Sequence, residues 1–231
     1  MPDSNQIYQN FADRYHALVA REDYENNLLP AITEIVPLQN KVTVELGAGT
    51  CRVSLLLAPL VKRLFVGDRS HHMLSYGGEI LSGLGLDNWF LFLESHLALP
   101  VADHKADVVI AGWSFCHIGS EAGEAWEAAL EKGLSEVARV LKPGGVVIII
   151  ETLGTGFQSP HPPARLQKYL AYLDSHGFQS DWIRTDYCFK DVAEAKDLTT
   201  FFFGEDPLPM WEVDGGAVVP ECTGLWWKTI Q

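Results

Sequence analysis

Apolar side chains recur along the first 40 residues at helical intervals: Tyr8, Phe11, Tyr15 and Leu18 share one face, and Leu28, Leu29 and Ile32 resume the stripe after an acidic interruption. A repeat every three to four positions marks an amphipathic helix, so one or two leading helices are predicted. The pattern then changes. A β-branched run over 41–46 ends in glycines and gives way to a helical stretch over 53–60, the order strand, glycine turn, helix. The unit repeats in outline: Leu64 to Val66 run into Gly67 and Asp68, and a helix over 70–84 follows with Ser70 placed to cap its first turn. Trp89 to Leu93 reads as a third, buried strand and 107–111 as a fourth. The next helix sets Ala122, Trp126, Leu130, Leu134, Val137 and Leu141 on one stripe, with acids early and Arg139 and Lys142 late, as its dipole favours. Pro143, Gly144 and Gly145 stop it, and Val146 to Ile150 form the unbroken apolar run of a strand covered on both faces. Pro162 and Pro163 then open a helix through Leu166, Tyr169, Leu170 and Leu173, which Gly177 closes. Segments 181–189 and 225–230 read as strands, with a helix over 192–203 between them.

Strands alternating with helices predict an α/β fold around an open, mostly parallel sheet, which binds ligands beyond the C-terminal strand ends where the strand order switches. No repeat, low-complexity tract or linker divides the chain. Residues 1–40 are therefore read as helices belonging to the same domain as 41–231. Trp226 and Trp227, adjacent in a strand, belong on opposite faces of a buried sheet; they and Phe201, Phe202, Phe203 and Trp211 are read as core before pocket.

Composition narrows the function. Of the 231 residues 47% are hydrophobic and 20% charged, enough apolar material for a sizeable core. With 30 acids against 17 bases the net charge is −13, which repels a phosphate backbone, and Lys62, Arg63, Lys132, Arg139 and Lys142 are scattered among acids; no nucleic-acid partner is expected. Cys51, Cys116, Cys188 and Cys222 form no CxxC pair and read as free thiols, while His71 and His72 have no further ligand at a suitable spacing, so no metal is expected. Met1 to Asn10 lack the basic start and apolar run of a signal peptide, and no apolar stretch approaches the roughly 18 residues of a membrane span. The expectation is a cytoplasmic protein without a membrane partner.

The informative segment is Val44-Glu45-Leu46-Gly47-Ala48-Gly49-Thr50-Cys51-Arg52. Two glycines one residue apart let the backbone turn sharply and approach a ligand. A strand precedes them, a helix follows, and Asp68 ends the next strand about 20 residues on, where an acid can accept ribose hydroxyls. That constellation indicates an adenosine-type nucleoside. A dinucleotide fingerprint takes Gly or Ala where this chain has Arg52, and Glu45 fits badly beside a pyrophosphate. A nicotinamide-dependent oxidoreductase is therefore the second reading.

These residues resemble the class I S-adenosylmethionine-dependent methyltransferases, whose loop commonly reads as an acid followed by Leu-Gly-x-Gly-Thr-Gly. Further similar strings follow in the family's order: Gly67-Asp68-Arg69-Ser70 with Met73-Leu74, Leu99-Pro100 with Asp103 and Ala106 to Val109, and Val137 to Gly145. The likeness covers about 42–151 and thins beyond. It implies a Rossmann-like three-layer sandwich with a mostly parallel seven-stranded sheet, its antiparallel edge in the last pair of strands. The cofactor it implies is S-adenosyl-L-methionine, with transfer of its methyl group to an unidentified small molecule. By that resemblance Gly47 and Gly49 are placed beside the methionine moiety, Glu45 near its ammonium, Asp68 on the ribose and Met73 near the adenine, whose edge Glu94, Ser95 and His96 flank; Ala48, Arg69 and Trp113 are also expected to bind the donor. Ser95 departs from the family, where an Asp often stands. Trp113 to His117 follow the fourth strand beside the donor methyl, and the leading helices with Tyr8 and Tyr15 form a lid.

His117 is the candidate catalytic residue, since an imidazole near pKa 6.5 accepts a proton at neutral pH. Its alternative role is a hydrogen bond to a loop carbonyl. A third reading, a donor-binding partner subunit without activity of its own, follows from Ser95 and the absence of an obvious base.

Overall fold

The computed structural model describes residues 4–231. Of the leading segment, residues 1–3 lie outside the described residues. The order is α1 (Ser4–Asn10), α2 (Ala12–Val19), α3 (Leu28–Ile35), β1 (Val42–Leu46), α4 (Arg52–Leu57), β2 (Arg63–Asp68), α5 (His71–Ser82), β3 (Trp89–Leu93) and β4 (Ala106–Gly112). Then come α6 (Cys116–Ala122), a 3-10 turn Gly123–Ala125, α7 (Trp126–Val140), β5 (Leu141–Thr155), α8 (Ala164–Ser175), β6 (Gln179–Arg184), β7 (Tyr187–Phe189), α9 (Val192–Phe203), β8 (Trp211–Val213), β9 (Gly216–Val219) and β10 (Glu221–Thr229).

Seven strands form one sheet in the order β3-β2-β1-β4-β5-β10-β6. Neighbours from β3 to β5 run parallel, and β10 runs antiparallel to both β5 and β6. Alternation along each strand divides the core. Val44, Leu46, Val109, Ala111, Val147 and Ile149 pack against α7 and α8 through Leu130, Val137, Leu166 and Leu173. Val108, Ile110, Ile148 and Ile150 face the other way, onto Ile32 of α3, Leu57 of α4 and Leu74 of α5. This is the Rossmann-like three-layer sandwich with a mostly parallel seven-stranded sheet. Its strand order reverses between β1 and β4, so the open crevice lies beyond their C-terminal ends.

Several expectations are corrected. Trp89 to Leu93 is not a buried strand: it is the sheet edge, and Phe90 and Leu93 are 44% and 54% exposed. Five consecutive apolar residues read alike whether or not a neighbour covers them. The antiparallel strand lies inside the sheet, between β5 and β6, because β6 pairs beyond it. Segment 181–189 breaks at Thr185 and Asp186, and β7 leaves for a three-stranded antiparallel sheet, order β7-β9-β8, with its own core of Leu18, Phe189, Ala195 and Val219. Gly123, at φ +57°, interrupts the helix expected through Ala122, and β5 starts at Leu141, ahead of Pro143. The caps and faces agree better: Met73 N–H donates to Ser70 Oγ at 3.2 Å, and Trp226 and Trp227 join the cores on opposite faces.

Candidate active site

The C-terminal ends of β1, β2 and β4, with the turn after β3, surround a cavity of ≈ 300 Å³. Its floor is the turn after β1. Gly47 and Gly49 both adopt left-handed φ, +64° and +56°, which glycine takes without a Cβ penalty. Gly47 N–H donates to Glu94 Oε1 at 3.2 Å, and Gly49 N–H donates to Asp68 Oδ2 at 2.8 Å. The loop amides are thus engaged by two buried carboxyls from the neighbouring strands. Ser70 N–H donates to the other Asp68 oxygen at 2.7 Å, so Asp68 is locked on the rim while each oxygen keeps a lone pair. Burial raises its pKa, opposed by those two amides.

Asp68, Arg69, Met73, Ser95, His96, Trp113 and His117 all line this cavity with Gly47 and Gly49. His96 Nδ1 lies 3.0 Å from Glu94 Oε2, and its ring stacks on Phe115 at 5.5 Å. Arg69 pairs with Glu121 across the opening. Ser95 Oγ accepts Leu97 N–H at 3.3 Å. Trp113 leaves β4 at φ +52°, with Arg52 stacked over its ring. His117, in the first turn of α6, has its pKa lowered by burial and then by the Arg69 cation, which favours neutral imidazole. Tyr8 and Tyr15 reach the cavity from α1 and α2, edge to face at 5.6 Å, and Ser70 Oγ donates to Tyr8 C=O at 2.8 Å.

Two sequence-assigned residues are elsewhere. Glu45 does not line the cavity: β1 alternation turns its side chain toward α4, where Ser54 Oγ donates to it and burial lifts its pKa to about 8. Ala48 is also outside the lining, its N–H spent on Gly67 C=O at 2.9 Å. The carboxyls of Glu94 and Asp68, by contrast, do line the cavity. Glu94 and Ser114, expected at the adenine edge and beside the donor methyl, both line the cavity, but the hydrogen bond from Gly47 N–H to Glu94 was not assigned from the sequence. Glu151, at the end of the sheet core, was also unassigned; it accepts Cys116 N–H at 2.9 Å and Tyr169 OH at 3.1 Å, and burial raises its pKa to about 7. Among the described residues, no three His, Cys, Asp or Glu side chains gather to hold a metal, and no helix is long and apolar enough to cross a membrane.

A family model described as a methyltransferase domain matches residues 44–149. The chain is 26% identical over 176 residues to a demethylmenaquinone methyltransferase of Desulfitobacterium hafniense, covering 70% of this chain and 64% of that protein. It is 29% identical over 140 residues to a demethylmenaquinone methyltransferase of Clavibacter sepedonicus, covering 60% and 50%. These matches thus span between half and two thirds of the relatives' own lengths. Among solved structures, a SAM dependent methyltransferase from Aquifex aeolicus superposes with a TM-score of 0.57 at 16% identity, covering 99% of this chain and 94% of the other.

Proposed function

We propose that this chain is a class I, Rossmann-like methyltransferase that transfers the methyl group of S-adenosylmethionine to a small-molecule acceptor, a reading supported by the methyltransferase-domain match over residues 44–149. One observation carries the choice of ligand: the N–H groups of Gly47 and Gly49 point at carboxyls. In a dinucleotide site those amides would serve a pyrophosphate. Here Glu94 and Asp68 occupy them, and their charge opposes a phosphate and favours a sulfonium cation.

The residues present fit the donor. The lone pairs left on Asp68 suit ribose hydroxyls, Met73 supplies an apolar wall, and Ser95 and His96 flank the place assigned to the adenine edge. Gly47, Gly49, Arg69 and Trp113 complete the donor side. The bound donor supplies an already activated methyl group, so the chain's task is to hold the acceptor in line and exclude water. Tyr8 and Tyr15 form the lid that does the latter. His117 accepts the proton of an acceptor that arrives protonated, a role supported by its lowered pKa and its place in the lining. The relatives' names make a quinone-type ring the first acceptor to assay. Four unbridged cysteines support a reducing, cytoplasmic setting, and the net charge of −13 supports a small molecule over nucleic acid.

Thermal shift and calorimetry test the donor. S-adenosylhomocysteine at 100 times its Kd stabilises a binding protein by about 2.7 kcal/mol, whereas NAD is expected to do nothing. Stabilisation by NAD alone would overturn the methyltransferase reading.

A further inference from the structure

We propose that Arg52 is a positioning residue of the donor site: its guanidinium fixes the Trp113 indole as one wall of the cavity, and Glu22 in turn fixes Arg52. The proposal rests on the donor-site reading above. Trp113 is a large residue at φ +52°, in the left-handed region that side chains other than glycine rarely adopt. Its backbone is held by a 2.7 Å hydrogen bond from Trp113 N–H to Ile150 C=O, and its partly buried indole packs against the core face that carries Ile32 and Leu57. Arg52 adds a directional constraint that apolar packing lacks, its Cζ stacked 3.6 Å from the ring centroid. A planar, weakly hydrated guanidinium stacks on an aromatic face as an ammonium does not.

Arg52 is itself clamped. It is ion-paired with Glu22, and the two side chains are 17% and 2% exposed. Glu22, between α2 and α3, also accepts Thr185 Oγ1 at 3.2 Å. A buried ion pair is a weak source of stability compared with apolar residues of the same volume, so its presence here calls for a reason beyond folding. Positioning Trp113 is that reason. The pairing also removes a conflict: an unpaired Arg52 would repel a cationic donor, and with Glu22 its charge is neutralised while Asp68 and Glu94 stay dominant. The sequence oddity at Arg52, where a dinucleotide loop has Gly or Ala, thereby has a function.

The test is a double-mutant cycle read by calorimetric Kd for S-adenosylhomocysteine. Arg52→Lys keeps the charge for Glu22 and loses the flat face, and is expected to weaken binding about threefold to thirtyfold. In a Trp113→Leu background the same change is expected to alter Kd less than about twofold, because there is no ring to position. Equal losses in both backgrounds, or a lowered melting midpoint with unchanged Kd, overturn the proposal. Should Arg52→Lys not fold, the ring side carries the test. Trp113→Phe, which keeps a face for the guanidinium, is expected to stay within about threefold of the unaltered affinity, and Trp113→Leu to lose about tenfold; equal losses again overturn it. Absence of binding by the unaltered chain removes the donor-site reading and this proposal with it, whereas binding indifferent to Arg52→Lys removes the proposal alone.

Discussion

The two glycines of the β1 turn respond differently to the same added methyl group. At Gly47 a Cβ lands well inside 3.0 Å of Ser114 Cβ and Oγ, and Ser114 cannot easily yield because it is buried and its Oγ donates to Leu46 C=O at 2.9 Å. Overpacking of that kind costs about 1–3 kcal/mol, and the left-handed φ of +64° adds about 1–2 kcal/mol for a residue with a Cβ. Gly47→Ala is therefore expected to lose about 2–5 kcal/mol, which for a chain of this size lowers the melting midpoint by roughly 4–20 °C. At Gly49 the added Cβ meets nothing closer than Tyr15 Cε1 at 3.5 Å, so only the conformational term applies and the loss is roughly 2–8 °C. Its methyl group projects toward Tyr15 and Met73, both in the cavity wall, so Gly49→Ala is expected to weaken S-adenosylhomocysteine binding at least about tenfold while folding almost normally. Ligand-free thermal melts and calorimetry separate the two effects. A Gly47→Ala protein that melts as high as Gly49→Ala would refute the packing argument.

Asp68→Asn replaces a charged acceptor and sets an amide NH2 against either Gly49 N–H or Ser70 N–H; S-adenosylhomocysteine is expected to bind about tenfold or more weakly by calorimetry, and a change under twofold removes the ribose role. Glu45, raised to about 8 in the folded chain against 4.5 as reference, keeps a proton that the unfolded chain releases, so stability falls as pH rises between those values. Glu45→Gln stays neutral throughout, so in urea denaturation it is expected to gain on the parent by about 1 kcal/mol or more from pH 5 to pH 8, and a pH-independent difference counts against the assignment. His117→Gln is expected to lower turnover about 10²–10⁴-fold with an acceptor that must lose a proton, leaving the Kd for S-adenosylhomocysteine within about twofold; unchanged turnover ends its candidacy as base. Cys51→Gly trades relief of a left-handed φ of +67° against a fully buried thiol, and is expected to shift stability by less than about 1 kcal/mol.

The half around the glycine turn was legible because its signals are local. Asp68, Met73 and the two glycines each sit in a short string whose geometry follows from a strand ending and a helix starting, and Ser70 declares its cap on its own. What escaped depends on neighbours distant in sequence. The exposure of Trp89 to Leu93 is set by the strand order, and no run of five apolar residues records whether another strand will cover it. Glu45 was read by its place two residues before Gly47, but β1 ends at Leu46 and the left-handed turn at Gly47 departs toward the cavity while Glu45 stays on the face toward α4. Glu94 holds Gly47 across 47 positions, and Arg52 finds Glu22 on a segment that the sequence showed only as an acidic gap between two stripes. The small sheet of β7, β8 and β9 was missed for the same reason: three- and four-residue strands barely register as periodicity.

The placement of β10 between β5 and β6 has a consequence for biogenesis. During synthesis β6 emerges with no partner in the main sheet, since every backbone pairing it makes there is with β10, more than 35 positions downstream. A nascent chain can assemble β1 to β5, and with them the glycine turn and Asp68, while the far border of β5 stays bare. Ribosome-arrested chains ending before residue 221 should therefore be protease-sensitive after α8 yet protected across the first five strands, and release of the remaining nine-residue strand should close the seam in one step.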